Sequence, residues 1–439
     1  MKKSINLLLA AVSVCCLSCC TIKKEQESES EVVISIEPPE ELAGDVKIAL
    51  PSTGGKREIL TNVVEEYKRS RPNVNVEVEW KSSDDFYLSY QIDVSSGQVY
   101  PDAAFIDHVY IQSLASLGLI VPISSTVEDV KDLYVDNLLE ASELNGKIYG
   151  YPFSANTICL YYNKNIVGNR KIPTTYQEFL EVGASIYEQE EAKPADERAQ
   201  IFSLSTGADY KNFGALLFTS WLKRDNGKLL SDDLKTAYLK SNEVADVLTK
   251  WKDIVDRGWA NPALSNEGQF YLGNVAFLEM GCWVNSQLFG ENAVAEFGVA
   301  PVFKLSDNGK ANSALGLYSL CVTKQDDENR MKLASDLCKF ISTNTEAQIA
   351  YAKDSKCLPV TKLACQDEFY QAPQWKVFID ALPDAAARPG SPEWPTIQTE
   401  VGNMFMKVLL DRNTIDEATT YAQNKIQNAL DTFYEDYED

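Results

Sequence analysis

The sequence predicts an α/β protein made of two bodies, and three observations carry that prediction. Strand and helix patterns alternate from the start of the folded region, the signature of a largely parallel sheet flanked by helices. The stretch after Pro152 is apolar on both faces of an extended strand, as a strand covered on both sides requires. The chain has 439 residues, 45% hydrophobic and 10% aromatic, enough for two or three domains with sizeable cores.

The elements follow in order. Val46 to Leu50 is a first strand, ending at Pro51-Ser52-Thr53-Gly54-Gly55. Ile59, Leu60, Val63, Val64 and Tyr67 form the apolar stripe of a helix. Val74, Val76, Val78 and Trp80 alternate with polar residues as a half-buried strand. A helix over about 84–96 leads to a strand from Ala103 to Ile106. Asp107 then sits at a strand's carboxyl end, where open α/β sheets bind ligands. Gly146 and Gly150 bracket a hairpin-like signal, and Pro152, lacking a backbone donor, is expected to interrupt pairing. Beyond it Asn156, Ile158, Leu160 and Tyr162 share one strand face, and Thr157, Cys159 and Tyr161 the other. Pro152 to Thr157 is read as the crossing point between the bodies.

Further on, Thr174 is a candidate N-cap, Phe213 to Leu222 an apolar helix, and Val244 to Val255 an amphipathic one. Leu315 to Val322 reads as a strand, Leu333 to Ile341 as a helix, and a last helix starts near Asp416. Four of the ten cysteines fall in the first twenty residues. Of the rest, Cys159, Cys321 and Cys338 read as buried small hydrophobes. Cys357 and Cys365 are near enough in sequence to bridge, and no CxxC pair marks a metal or redox site.

The N-terminus reads as an export signal. Lys2 and Lys3 precede an apolar run from Ile5 to Leu17, then Leu17-Ser18-Cys19-Cys20. The last four residues resemble the lipobox of bacterial lipoproteins, with Cys20 as the lipidated residue and Cys19 as the alternative. Residues 21–44 are polar and Glu-rich, a flexible tether. A formal charge of −23 repels phosphate backbones and argues against nucleic acid. His108 is the one histidine, which weakens any mechanism needing a histidine base or a histidine-rich zinc site. No GxSxG, HExxH or GxxxxGK[ST] pattern is present.

Gly146-Lys147-Ile148-Tyr149-Gly150-Tyr151-Pro152, followed by Tyr161-Tyr162-Asn163-Lys164, resembles the extracellular solute-binding proteins of bacterial ABC importers, in the branch that includes the maltose-binding protein. Phe270, Gly273, Ala276, Gly281 and Trp283 match that family's F-x-x-G-K-x-A-M … G-x-W block, with Asn274 in place of the usual Lys and Phe277 of the usual Met. Gly118-Leu119-Ile120-Val121-Pro122, Phe297 to Pro301 and Ala387-Arg388-Pro389 resemble further family segments. The resemblance runs in order over about residues 45–433.

It implies a two-lobed periplasmic-binding-protein-like type II fold whose lobes are joined by crossover hinge strands. The expected lobes are 45–153 with 299–350, and 154–298 with 351–439. It also implies a non-enzymatic receptor without cofactor or metal: a monomer, lipid-anchored outside the cytoplasm, that delivers a mono- or oligosaccharide to ABC permease subunits. Polyol phosphates are carried by some members. A glycoside-processing lipoprotein and a surface interaction protein are the competing classes.

A sugar offers C–H faces to aromatic rings and a hydroxyl rim to amide, carboxylate and guanidinium groups. The binding candidates are accordingly Trp283, Trp394 and Trp80 for the faces, and Asp107, Asn156, Arg388 and Thr53 for the rim. Each has a structural alternative: a core ring for Trp283, surface packing for Trp394, strand-face core for Trp80, an N-cap for Asp107 and a loop brace for Arg388. Trp221 reads as core. Tyr161 and Tyr162, adjacent on a strand, point to opposite faces and cannot chelate one ion.

Overall fold

A computed structural model describes residues 42–52, 56–81, 101–204, 210–263 and 266–438. The leader, the tether, Thr53 and the helix expected over 84–96 lie outside the described residues. Strands β1 (Gly44–Pro51), β2 (Val74–Lys81) and β3 (Ala103–Asp107) form a parallel group with β1 in the middle. The helix Lys56–Ser70 joins β1 to β2 and buries Leu60, Val63, Val64 and Tyr67, the stripe read from its spacing. Strand β10 (Ala314–Val322) then runs antiparallel to β3, so the sheet is mixed rather than purely parallel.

Strand β6 (Tyr151–Asn163) is thirteen residues long and buried along almost its whole length. Tyr151 to Thr157 pair with β10, whereas Ile158 to Tyr162 pair with β8 (Val275–Gly281). On its other edge Leu160 to Asn163 pair with β9 (Phe297–Ala300). β7 (Gln200–Ser203) lies beside β8 as a parallel edge strand. The path through the sheet is therefore β2-β1-β3-β10-β6-β8-β7, with β6 passing from one half to the other.

Beyond the crossing, the side chains of β6 alternate between two hydrophobic cores. Cys159 and Tyr161 are buried with Phe105, Leu317 and Leu337, while Ile158 and Leu160 are buried with Phe179, Trp221, Trp251 and Phe405. That is the period-two alternation of a strand covered on both faces. Leu278, Phe297 and Tyr370 are buried in the first core as well.

Two local expectations are corrected, and the open state of one cysteine pair is answered. Pro152 does not interrupt pairing: β6 runs through it, and the register with β10 slips between Tyr318 and Ser319, so that Pro152 sits at an irregularity needing no donor. The N-cap of the helix Tyr176–Glu191 is Thr175, whose side chain accepts from the Glu178 N–H; Thr174 instead donates its hydroxyl to the Glu178 carboxylate. Cys357 and Cys365 are not bridged, and all six cysteines from Cys159 onward are buried free thiols. The hairpin signal is a small hairpin of β4 (Glu143–Leu144) and β5 (Lys147–Ile148), turned by Asn145 and Gly146, both at positive φ.

The second core holds a fully buried ion pair. Arg224 ends the helix Ala215–Arg224 and donates to both carboxylate oxygens of Glu279 on β8, at 3.0 and 2.5 Å. Trp221 Nε1 donates to the same carboxylate at 2.9 Å, and Arg224 also reaches the Phe303 carbonyl. Removing one partner of a buried ion pair strands the other charge. Glu279→Ala is expected to cost roughly 3–5 kcal/mol. Urea unfolding measures it, and a loss below about 1 kcal/mol, the level of an exposed pair, contradicts this reading.

Candidate functional site

The strand ends and turns that meet where β6 crosses enclose a cavity of about 430 Å³. β3 supplies Asp107 at its carboxyl end, and β6 supplies Asn156, Thr157 and Ile158 at the crossing itself. β10 adds Ala314, Gly316 and Tyr318, and Arg388 follows the short strand β11 (Ala386–Ala387), which pairs with β10. The opposite wall is made by Asn212, Phe213, Leu216, Glu267, Met280 and Trp283. Asn212 and Phe213 lie in a wide π-type turn over Tyr210–Gly214 that precedes the Ala215–Arg224 helix. The expected apolar helix thus starts two residues later than Phe213, and that ring faces the cavity.

Trp283 is presented by a turn after β8. Its ring lies over Gly281, where an added Cβ would fall 1.8 Å from the indole, so only glycine admits this close approach. The Tyr161 hydroxyl donates to the Asn285 side chain at 2.6 Å and to the Gly281 carbonyl at 3.3 Å, holding both ends of the turn. The Trp283 ring is half-buried and meets Phe213 edge to face, centroids 5.9 Å apart. Across the cavity Tyr318 stacks on Phe105 at 4.8 Å.

Asp107 does two things at once. Its carboxylate caps the helix His108–Ser116 by accepting from the Val109 N–H, and it accepts from Arg388 Nη2 through both oxygens, at 3.2 and 3.3 Å. The buried His108 ring adds Nδ1 at 2.9 Å. Burial pushes the Asp107 pKa up, but the Arg388 charge and the His108 and Val109 hydrogen bonds outweigh it and hold the carboxyl at about 2. Burial takes His108 the other way, below its ordinary value, which keeps the ring neutral at neutral pH. Arg388 lies over the Trp394 ring at 5.4 Å.

Of the residues expected to contact a ligand, Asp107, Asn156, Arg388 and Trp283 therefore line one cavity. Trp394 and Trp80 do not. Trp394 was expected on an exposed loop; it opens the helix Trp394–Leu409, is 2% exposed, and packs into the second core beneath Arg388. Trp80 is the next-to-last residue of β2, half-buried, with the Arg57 guanidinium 5.2 Å from its ring. The residues missed are Thr157, Asn212, Phe213, Glu267, Met280 and Tyr318. Their types are ordinary for helices and strands, and only Thr157, beside Asn156, was on a segment already placed at the crossing. The arrangement combines rings with amide, hydroxyl and charged groups, suited to a polar solute with apolar faces. Asp107, paired and ionised down to about pH 2, is not a group that donates a proton at neutral pH.

Residues 62–376 match the family described as bacterial extracellular solute-binding protein. The chain belongs to that family. This solute-binding protein is 24% identical over 365 residues to the maltotriose-binding protein of Pyrococcus abyssi, covering 82% of this chain and 76% of that one. It is 22% identical over 309 residues to the galactooligosaccharide-binding protein of Bacillus subtilis, covering 68% and 71%. Among solved structures it is similar to the cyclic α-maltosyl-1,6-maltose binding protein of Arthrobacter globiformis, with TM-score 0.77, 22% identity, and coverage of 88% and 99%. The fold is the two-lobed α/β fold of periplasmic binding proteins. No helix among the described residues is long and apolar enough to cross a membrane.

The charge state of Asp107 can be read directly. Because its folded pKa lies below the ordinary 3.8, it contributes stability that is complete above about pH 4–5 and is lost as the pH falls towards 2, worth roughly 2 kcal/mol. Arg388→Met removes the main opposing charge and leaves burial dominant, so a carboxyl NMR titration should show the Asp107 pKa rising above 3.8. An unchanged value contradicts the ion pair.

Proposed function

We propose that this protein is the lipid-anchored, extracytoplasmic receptor of an ABC importer and that it takes a mono- or oligosaccharide into the cavity at the crossing strand. The observation that carries this is the cavity itself: the Trp283, Phe213 and Tyr318 rings offer faces for sugar C–H groups, and Asn156, Thr157, Asn212, Glu267 and the Asp107–Arg388 pair offer a rim for hydroxyls. Relatives named for binding maltotriose and galactooligosaccharide support the ligand class. The lobes are 45–153 with 299–350 and 154–298 with 351–439, closing by hinge bending at the crossing strands. Binding without turnover, delivery to permease subunits and action as a monomer complete the reading.

The anchor is Cys20, or Cys19, carrying acyl chains after signal removal; more than one chain is needed for durable attachment. Globomycin should cause the precursor to accumulate, and N-terminal mass spectrometry of the mature protein should find a diacylglyceryl cysteine. An unmodified N-terminus overturns the anchoring.

For the ligand, sugar at about 100 times its dissociation constant should stabilise the folded state by roughly 2.7 kcal/mol, seen as a rise in Tm. Trp283→Ala should weaken binding in calorimetry by about 1–3 kcal/mol while sparing the unliganded fold. Unchanged affinity with collapsed thermal stability would make Trp283 a core residue and remove it from the site.

A further inference from the structure

Charge at the cavity wall narrows the ligand class further, on the reading that the cavity takes a sugar. Among the described residues three charged side chains line it: Asp107, Arg388 and Glu267. The Arg388 guanidinium is spent on Asp107, which it holds through both oxygens. Glu267 is half-buried on the opposite wall; its hydrogen bond comes from the Tyr271 hydroxyl, and no cation pairs with it among the described residues. The wall thus carries a net negative formal charge contributed by Glu267.

Among the described lining residues no further cation offsets it. Between 42 and 439 the stretches outside the described residues contain no Lys, Arg or His, so they hold no cation that could enter the cavity. The chain as a whole is at −23, a field of the same sign. The cavity also presents polar atoms awaiting a partner. Thr157 is 1% exposed, lines the cavity and has no partner for its hydroxyl, and Arg388 Nε is likewise buried and unpaired among the described residues. Both suit neutral hydroxyls. An anionic group that approached Arg388 would come up against the Asp107 carboxylate, and one on the other wall would face Glu267.

We propose that the cavity takes neutral or amino-bearing sugars and rejects uronates and sugar phosphates, with Glu267 as the specificity-determining residue. Like charges a few ångströms apart in a partly desolvated site should weaken an acidic sugar roughly tenfold to a hundredfold against its neutral counterpart. Rising salt should narrow that gap, because the charges are partly screened.

The test is competition by native mass spectrometry with gluco-, galacto- and manno-trisaccharides. Each is offered with its C6 groups as hydroxymethyl, aminomethyl or carboxylate, at low and high salt, to the wild-type protein and to Glu267→Gln. The expected result is binding of a neutral or amino form, at least about tenfold weaker binding of its carboxylate form, a narrower gap in salt, and a gap closed about tenfold in Glu267→Gln. A carboxylate form bound as tightly as the neutral one by the wild type overturns the inference and leaves the sugar reading standing. Discrimination that is unchanged in Glu267→Gln removes Glu267 from its role. If no trisaccharide of any charge binds, the corresponding monosaccharides are offered in the same three forms, and if none of these binds either, the sugar reading fails and the inference with it. Should the variant fail to fold, the salt dependence of the wild-type gap decides: a gap that does not respond to salt overturns the electrostatic origin.

Discussion

Everything in this molecule depends on one strand that is covered on both faces and changes partners along its length. β6 takes its first partners from β10 and its later ones from β8 and β9. Its side chains beyond the crossing feed two different cores. A strand buried on most of both faces, and paired on both edges over Leu160 to Tyr162, has its register tightly specified. The cavity lies where the partners change, because the carboxyl end of β3, the exit of β8 and the return after β11 all converge there. The polar residues Asn156 and Thr157 occupy the one part of β6 that the change of partners leaves open to a ligand.

The Asp107–Arg388 pair and the buried Arg224–Glu279 pair show how two ion pairs of similar chemistry do different work. Arg224 and Glu279 are wholly buried, with further hydrogen bonds from Trp221 and to the Phe303 carbonyl and with Arg224 Nε left unpaired inside the core, so the pair ties a helix to the sheet. Asp107 and Arg388 keep some exposure, and Arg388 retains an unpaired Nε. The second pair is rigid enough to be a fixed feature of the wall and incomplete enough to accept a further hydrogen-bonding partner. A bare guanidinium would attract anions; one already neutralised by a neighbouring carboxylate acts as a directional donor.

Much of the fold was legible because it rests on periodicity. The stripe Leu60, Val63, Val64, Tyr67 and the alternating faces of Ile158 to Tyr161 are statements about spacing, and burial follows spacing. What spacing does not carry is which long-range surface a residue meets. Trp394 sits among prolines and a glycine and reads as exposed, yet as the first residue of a helix it turns into the second core under Arg388. Phe213 and Glu267 look like ordinary helix and loop residues, and only the fold of a distant strand against them makes them cavity walls. Pro152 was misread for a local reason: a missing donor forbids regular pairing, but a slip in the partner's register removes the need for one. Asp107 was found because it ends a strand beside a topological crossing, and Asn156 because it lies in the crossing itself.

The distribution of thiols has a practical consequence for watching this protein move. All six cysteines beyond the leader are buried, and all six belong to the first core; the second core, centred on Trp221, Trp251 and Phe405, contains none. Burial raises the Cys321, Cys357 and Cys365 thiols well above their ordinary range, so the reactive thiolate is scarce until water enters. An alkylating reagent therefore sees one half of the hydrophobic interior and is blind to the other. Its reaction rate becomes a clock for local opening of the first core alone, and comparison with whole-chain unfolding separates the loosening of one core from the loss of both.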